Sequence, residues 1–160
     1  MKFLVFSDSH GTDFYIKKAL ADHKDAVGCF FLGDGLADVE KFAERGLWYL
    51  VRGNCDYSGF LCGSMIPKTA ELTVMGKRIV YTHGDLYGVK SGTGGILSLA
   101  ASRSADLVLY GHTHTPREEY RDGVYLFNPG SISSVYGNTP SYGIITLREN
   151  GILLSHGMFL

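Results

Sequence analysis

The chain has 160 residues, 45% of them apolar, with 15 basic and 16 acidic side chains and a formal net charge of −1. That length suits one domain over 1–160 that needs no staples. The near-neutral balance, without a basic stripe or like-charge run, argues against a dedicated nucleic-acid surface or a membrane-surface binder. The three cysteines, Cys29, Cys55 and Cys62, match no zinc-ribbon or CxxC spacing, and no apolar run reaches signal-peptide or membrane length. A reducing, cytoplasmic setting is expected.

A strand is predicted over 2–7, then a helix over 13–22 with Thr12 as its cap and Phe14, Ile16, Ala19 and Leu20 among its apolar positions. A strand over 27–32, a helix over 36–45 and a strand over 47–52 follow. This alternation predicts parallel strands joined by right-handed crossovers. The second half is richer in hairpins: two strand-like runs around Gly76-Lys77, a turn at Asp122-Gly123 and another at Asn150-Gly151. A helix near 94–104 and a strand over 106–110 lie between them. The pattern predicts an α/β fold of two sheets packed face to face with helices outside. The glycine-rich stretch 84–95 is expected to be mobile and does not match a nucleotide-binding P-loop.

Five of the apolar runs end in polar clusters: FLVFSDSHG (3–11), CFFLGDG (29–35), WYLVRGNCD (48–56), RIVYTHGD (78–85) and DLVLYGHTH (106–114). Their loops offer Asp8, His10, Asp34, Asn54, His83, His112 and His114. Open α/β sheets place their chemistry at such strand ends. In extended chain, residues i and i+2 point the same way, so Asp8 with His10, and His112 with His114, are expected to face one cation each way. Imidazole, carboxylate and amide together suit Mn, Fe, Co, Ni or Zn rather than Mg alone, and no thiolate is expected in the set. Two divalent cations, less Asp8, Asp34 and a bridging hydroxide, leave roughly one positive charge, complementary to a phosphodiester. His23 and His156 lie outside these loops and are assigned structural roles. Asp56 and Asp85 are candidates to orient ligands, Arg52 to assist a phosphate, and Tyr57, Phe60 and Tyr136 to line a pocket; for each, an ordinary loop or packing role is the alternative.

The ordered set DSHG, GDG, GNCD, HGD and GHTH, with NPGS at 128–131, resembles the calcineurin-like metallophosphoesterases, above all their compact YfcE-type phosphodiesterase branch. The resemblance runs nearly end to end. It implies a four-layer αββα sandwich of two mixed β-sheets flanked by helices. It also implies two divalent metal ions, with Mn expected and Ni, Fe, Co or Zn as alternatives. Asp8, His10 and His114 would hold one ion, Asn54, His83 and His112 the other, and Asp34 would bridge them together with a hydroxide that attacks phosphorus. Asp34, Asn54, Cys55 and His83 are the implied catalytic positions. Many relatives carry histidine where this chain has Cys55, and a thiol is the poorer proton donor. The implied activity is hydrolysis of small phosphodiesters. A phosphomonoesterase, a repair-type nuclease and a non-catalytic scaffold resembling the retromer subunit are the rival readings. Homo-oligomerisation is left open.

Overall fold

A computed structural model describes residues 1–160. Strands β1 (Lys2–Phe6), β2 (Gly28–Phe31) and β3 (Trp48–Leu50) are parallel, separated by helices α1 (Phe14–Asp22) and α2 (Leu36–Ala43). A short hairpin, β4 (Phe60–Leu61) and β5 (Ser64–Met65), precedes β6 (Thr69–Val74) and β7 (Lys77–Thr82). After α3 (Gly94–Arg103) come β8 (Leu107–Leu109), β9 (Pro116–Arg121), β10 (Val124–Pro129), β11 (Ser141–Arg148) and β12 (Gly151–Met158). One sheet has the order β12-β11-β1-β2-β3 and the other β6-β7-β8-β10-β9. Both mix parallel and antiparallel pairs.

The central strands read as unbroken apolar runs because both of their faces are covered. Alternate residues go to opposite sides. Phe3, Val5, Phe30 and Leu32 meet Ile79, Leu107, Leu109 and Phe127 of the other sheet in the middle layer. Leu4, Phe6 and Phe31 turn outward onto Ile16 and Ala19 of α1 and Leu36 and Val39 of α2. Val80, Val108 and Leu126 meet Ile96, Leu99 and Ala100 of α3. Each fully buried side chain of this size contributes roughly 1.5–3 kcal/mol of hydrophobic stabilisation. The result is the expected αββα sandwich. Cys29 belongs to the outer layer against the helices, and burial pushes its thiol up to about 12.

Several local expectations shift. Asp13, not Thr12, takes the N-cap position of α1, although the Thr12 hydroxyl accepts a bond from Phe14 N–H at 3.3 Å. Phe14 is exposed. The first second-half hairpin turns on Met75-Gly76, both in the left-handed region, because Val74 pairs with Lys77. The last turns on Glu149-Asn150, with Gly151 already paired to Arg148. Asp122-Gly123 is a two-residue turn as expected, with φ of 52° and 82°. The stretch 84–95 contains two short 3-10 turns, Asp85–Tyr87 and Val89–Ser91, anchored by buried Val89. No helix is long and apolar enough to cross a membrane.

Candidate metal centre

The loops after β1, β2, β7 and β8 converge at one edge of the sandwich. Their backbone is not extended. Asp8 (φ 56°), His10 (47°), Asp34 (59°), His112 (69°) and His114 (60°) all lie in the left-handed region. The chain turns at each of these residues, so the i, i+2 rule of extended chain does not hold as stated: Asp8 and His10 still meet in one group, but His112 and His114 do not. A non-glycine residue costs roughly 1–2 kcal/mol in this conformation, so the surroundings must hold it. Asp8 N–H donates to Gly33 O at 2.9 Å, His10 N–H to Asp34 O at 3.1 Å and Gly111 N–H to His83 O at 2.8 Å. Close approach is possible only because Gly53 and Gly111 lack a Cβ, which would strike the Asp34 carboxylate and the Ser7 hydroxyl respectively.

Two clusters result: Asp8, His10 and His114 form one, and Asp34, His83 and His112 the other. In the first, Nε2 of His10 and Nε2 of His114 lie 3.1 Å apart, at 3.5 and 3.2 Å from Asp8 Oδ1. In the second, His83 Nε2 lies 3.1 Å from His112 Nδ1 and 3.3 Å from Asp34 Oδ2. The clusters adjoin, since His83 Nε2 is also 3.9 Å from Asp8 Oδ1. Atoms bonded to one ion at roughly 2.0–2.2 Å stand about 3 Å from one another, so these separations fit shared coordination. His83 Nδ1 donates to Leu32 O at 2.7 Å, which leaves Nε2 to face the cluster.

Asp8 supplies the sharpest test of fit. It is fully buried, and its Oδ2 accepts from the Ser7 hydroxyl and from His112 N–H at 3.1 Å. Its Oδ1 has no hydrogen-bond partner. A buried carboxylate oxygen left this way costs stability unless something positive meets it, and the residues here fit a divalent cation. Without an ion, protons do part of that work. Burial alone would raise Asp8, but His10, His114, His83 and Ser7 outweigh it and hold the carboxyl well below the usual range. Burial likewise opposes the lowering of Asp34, which His83 and the Cys55 N–H dominate. Burial would push His83 down, yet Asp34 and Asp8 hold it up at about 9. Contact with Asp8 raises His10, whereas burial lowers His112, aided by the charges of His83 and Lys90.

Asn54 and Cys55 stand at the mouth. Both are exposed and line an open cavity of about 370 Å³ with His10, Asp34, His112 and His114. Cys55 Sγ comes within ligand distance of His10 and Asp34, which fits its implied catalytic position but not the expectation that the ligand set holds no thiol. Partial burial, reinforced by the Asp34 charge, pushes it up to about 11, so without a metal it is a thiol at neutral pH. The Cys55 N–H donates to Asp34 Oδ1 at 2.8 Å.

Asp56 proves to be an organiser. Its Oδ2 accepts from the N–H groups of Asp34 (2.7 Å) and Gly53 (2.8 Å), and its Oδ1 from those of Gly35 (2.8 Å) and Leu36 (2.9 Å). One carboxylate thus locks the loops after β2 and β3 together and satisfies the first turn of α2. The NPGS segment has a matching role. Asn128 Nδ2 donates to Gly111 O at 3.0 Å and to Thr113 Oγ1 at 2.9 Å, and the Ser131 hydroxyl donates to Asp8 O at 2.8 Å. The carboxylate two residues after Asn54 and an Asn-Pro-Gly turn after a strand were the available signals. Tyr136 sits edge-on to His10 at 4.9 Å between centroids, and it and Lys90 line the cavity. Asp85 begins a 3-10 turn, and Tyr57 and Phe60 are exposed and do not line this cavity. Arg52 is half-buried with its Nε unpartnered, its guanidinium lies beside Gly59, and it does not line this cavity. His23 binds the Tyr142 hydroxyl, and His156 binds Asn128 O while stacking on Phe127, as structural groups.

Imidazoles and carboxylates gathered at the strand ends of an αββα sandwich define the class of metal-dependent phosphoesterases. The chain belongs to the calcineurin-like phosphoesterase superfamily, whose domain matches residues 1–150. It is 30% identical over 152 residues to the probable metallophosphoesterase YsnB of Bacillus subtilis, covering 94% of this chain and 86% of that one. It is 37% identical over 107 residues to the phosphodiesterase YfcE of Escherichia coli, covering 64% of this chain and 53% of YfcE. Superposed on the solved YfcE structure, it gives a TM-score of 0.68 at 25% identity, over 91% of this chain and 88% of the other. Vacuolar protein sorting 29 of Cryptosporidium parvum shares the fold, with a TM-score of 0.78 at 17% identity over 99% and 97% of the two chains.

Proposed function

We propose that the chain is a dinuclear metal-dependent phosphodiesterase acting on small phosphodiesters. Asp8, His10 and His114 would hold one divalent cation; Asn54, His83 and His112 would hold the other; Asp34 would serve both. The observation that carries this reading is the buried Asp8 Oδ1, partnerless and faced by the imidazoles of His10 and His114. The bound cations would supply Lewis-acid charge and an activated water. The chain's own part is positional. Leu32 O orients His83, Asp56 fixes the Asp34 and Asn54 loops, and Asn128 fixes the loop of His112 and His114. Four histidines favour Mn, Fe, Co, Ni or Zn over Mg, with Mn as the first metal to try. A cavity of about 370 Å³ supports a small substrate. Free Cys29, Cys55 and Cys62 support a cytoplasmic setting.

Dialysis against a chelator should abolish hydrolysis of bis-p-nitrophenyl phosphate, and Mn²⁺ should restore it. Full turnover by metal-free protein would refute the proposal. Faster turnover of p-nitrophenyl phosphate would instead favour a phosphomonoesterase. The shared fold with vacuolar protein sorting 29 motivates a second reading, a non-catalytic scaffold. The retained ligand types favour catalysis; absence of activity with every metal, together with a stable partner in pull-downs, would reverse that order.

A further inference from the structure

A second cavity, of about 390 Å³, is lined by Val89, Lys90, Tyr110, Thr113, Thr115 and Arg117. It shares Lys90 with the cavity over the metal ligands. The two also share the 112–114 segment: His112 and His114 line the first, and the intervening Thr113 lines the second. Its wall is built to donate. Tyr110 is only 1% exposed, and its hydroxyl makes no hydrogen bond within the protein. The Thr113 oxygen already accepts from Asn128 Nδ2 at 2.9 Å and from Thr115 N–H at 3.3 Å, so its own proton is free to be given. No carboxylate lines the cavity. Behind it, Glu119 is divided between Arg117 and Arg121, each at 3.3 Å, and also accepts from the Thr93 hydroxyl at 3.4 Å. The charged groups that line the cavity are therefore both cations, Lys90 and Arg117. A phosphate monoester carries a charge of about −1.5 to −2 at neutral pH, and an Arg fork with hydroxyl donors suits its oxygens.

We infer that Lys90, Arg117, Tyr110 and Thr113 form a subsite for a second phosphate, so that the preferred substrates are phosphodiesters bearing a further phosphate monoester on one arm. The inference rests on the phosphodiesterase reading, since the first cavity must hold the diester while the second holds the monoester. Lys90 stands between them and faces both.

The test compares two substrates with the same leaving group: the p-nitrophenyl ester of thymidine 5′-phosphate, and the same ester carrying a 3′-phosphate. The wild-type protein with Mn²⁺ should show kcat/KM about tenfold higher for the phosphorylated one. Arg117→Ala should cut that ratio at least about fivefold, and Tyr110→Phe, which removes only an unpartnered hydroxyl, should cut it measurably. A wild-type ratio near one, or a ratio unmoved by both variants, would overturn the subsite while hydrolysis of the plain diester upheld the phosphodiesterase reading. Calorimetry on metal-free protein decides the matter should neither ester turn over. Thymidine 3′,5′-bisphosphate should bind about tenfold tighter than thymidine 5′-phosphate, and Arg117→Ala should erase the difference. Equal binding by the wild type would overturn the subsite.

Discussion

Replacing Asp56 by alanine should damage the protein more than its distance from the reaction suggests. Its carboxylate accepts four backbone N–H groups, at 2.7–2.9 Å, from the two loops that carry Asp34 and Asn54. Each such bond contributes about 1 kcal/mol net, and more when the acceptor is charged. Asp56 is only partly buried, so water would replace some of them, and a loss of about 3–4 kcal/mol is expected. For a chain of this size that corresponds to a fall in Tm of about 6–16 °C. Asp34 and Gly53 would also lose the anchor that fixes their approach, so metal affinity should drop about 10–100-fold, as for other outer partners of ligands. Chemical denaturation of metal-free protein measures the first effect and Mn²⁺ titration calorimetry the second. A loss below about 1 kcal/mol with unchanged metal affinity would refute the reasoning.

Asp34→Asn should be the most damaging single ligand change, exceeding the about 10–100-fold effect of losing an outer partner, as steady-state rates at saturating Mn²⁺ would show. Cys55 remains a protonated, weakly donating thiol, so Cys55→His should raise rates on alkyl diesters, by up to about 100-fold, far more than on aryl diesters; equal gains on both would contradict that role. Proton binding at His83, held near 9, competes with metal. Apparent Mn²⁺ affinity should therefore climb between about pH 6.5 and 9, by roughly tenfold per pH unit for each proton displaced, as calorimetry across that range would record. Metal-free stability should move the opposite way. The raised His83 contributes fully below about pH 6.5, its unfolded value, and its contribution disappears as pH rises through about 9.

The five strand-end loops were legible because each couples a buried apolar run to a polar cluster, and periodicity and composition both see that junction. Two sheets with helices outside followed from the strand–helix alternation of the first half and the hairpin turns of the second, and unbroken apolar runs such as FLVF and VLY belong to strands covered on both faces. The left-handed backbone at Asp8, His10, Asp34, His112 and His114 was not legible, since only the packed neighbours make that conformation tolerable. The division of His112 from His114 follows from it. Asp56 was visible as a nearby acid, but its four donors come from backbone up to 22 residues away in sequence, which no local pattern encodes. Lys90 and Tyr136 reach the cavity from loops whose paths depend on tertiary docking. Hairpin positions slipped by one residue because dipeptide preference competes with strand register, which Val74–Lys77 and Arg148–Gly151 decide.

Neither sheet owns a whole cluster of the proposed ligands. Asp8, His10 and Asp34 hang from strands β1 and β2, while His83, His112 and His114 hang from β7 and β8 of the opposite sheet. During synthesis the amino-terminal half would emerge with two carboxylates and one imidazole, too sparse a grip to sequester a transition metal. Were these residues the ligands, capture would wait until both halves had met across their shared apolar layer, which contains none of them. On that ligand set, loading would come last in the birth of the molecule.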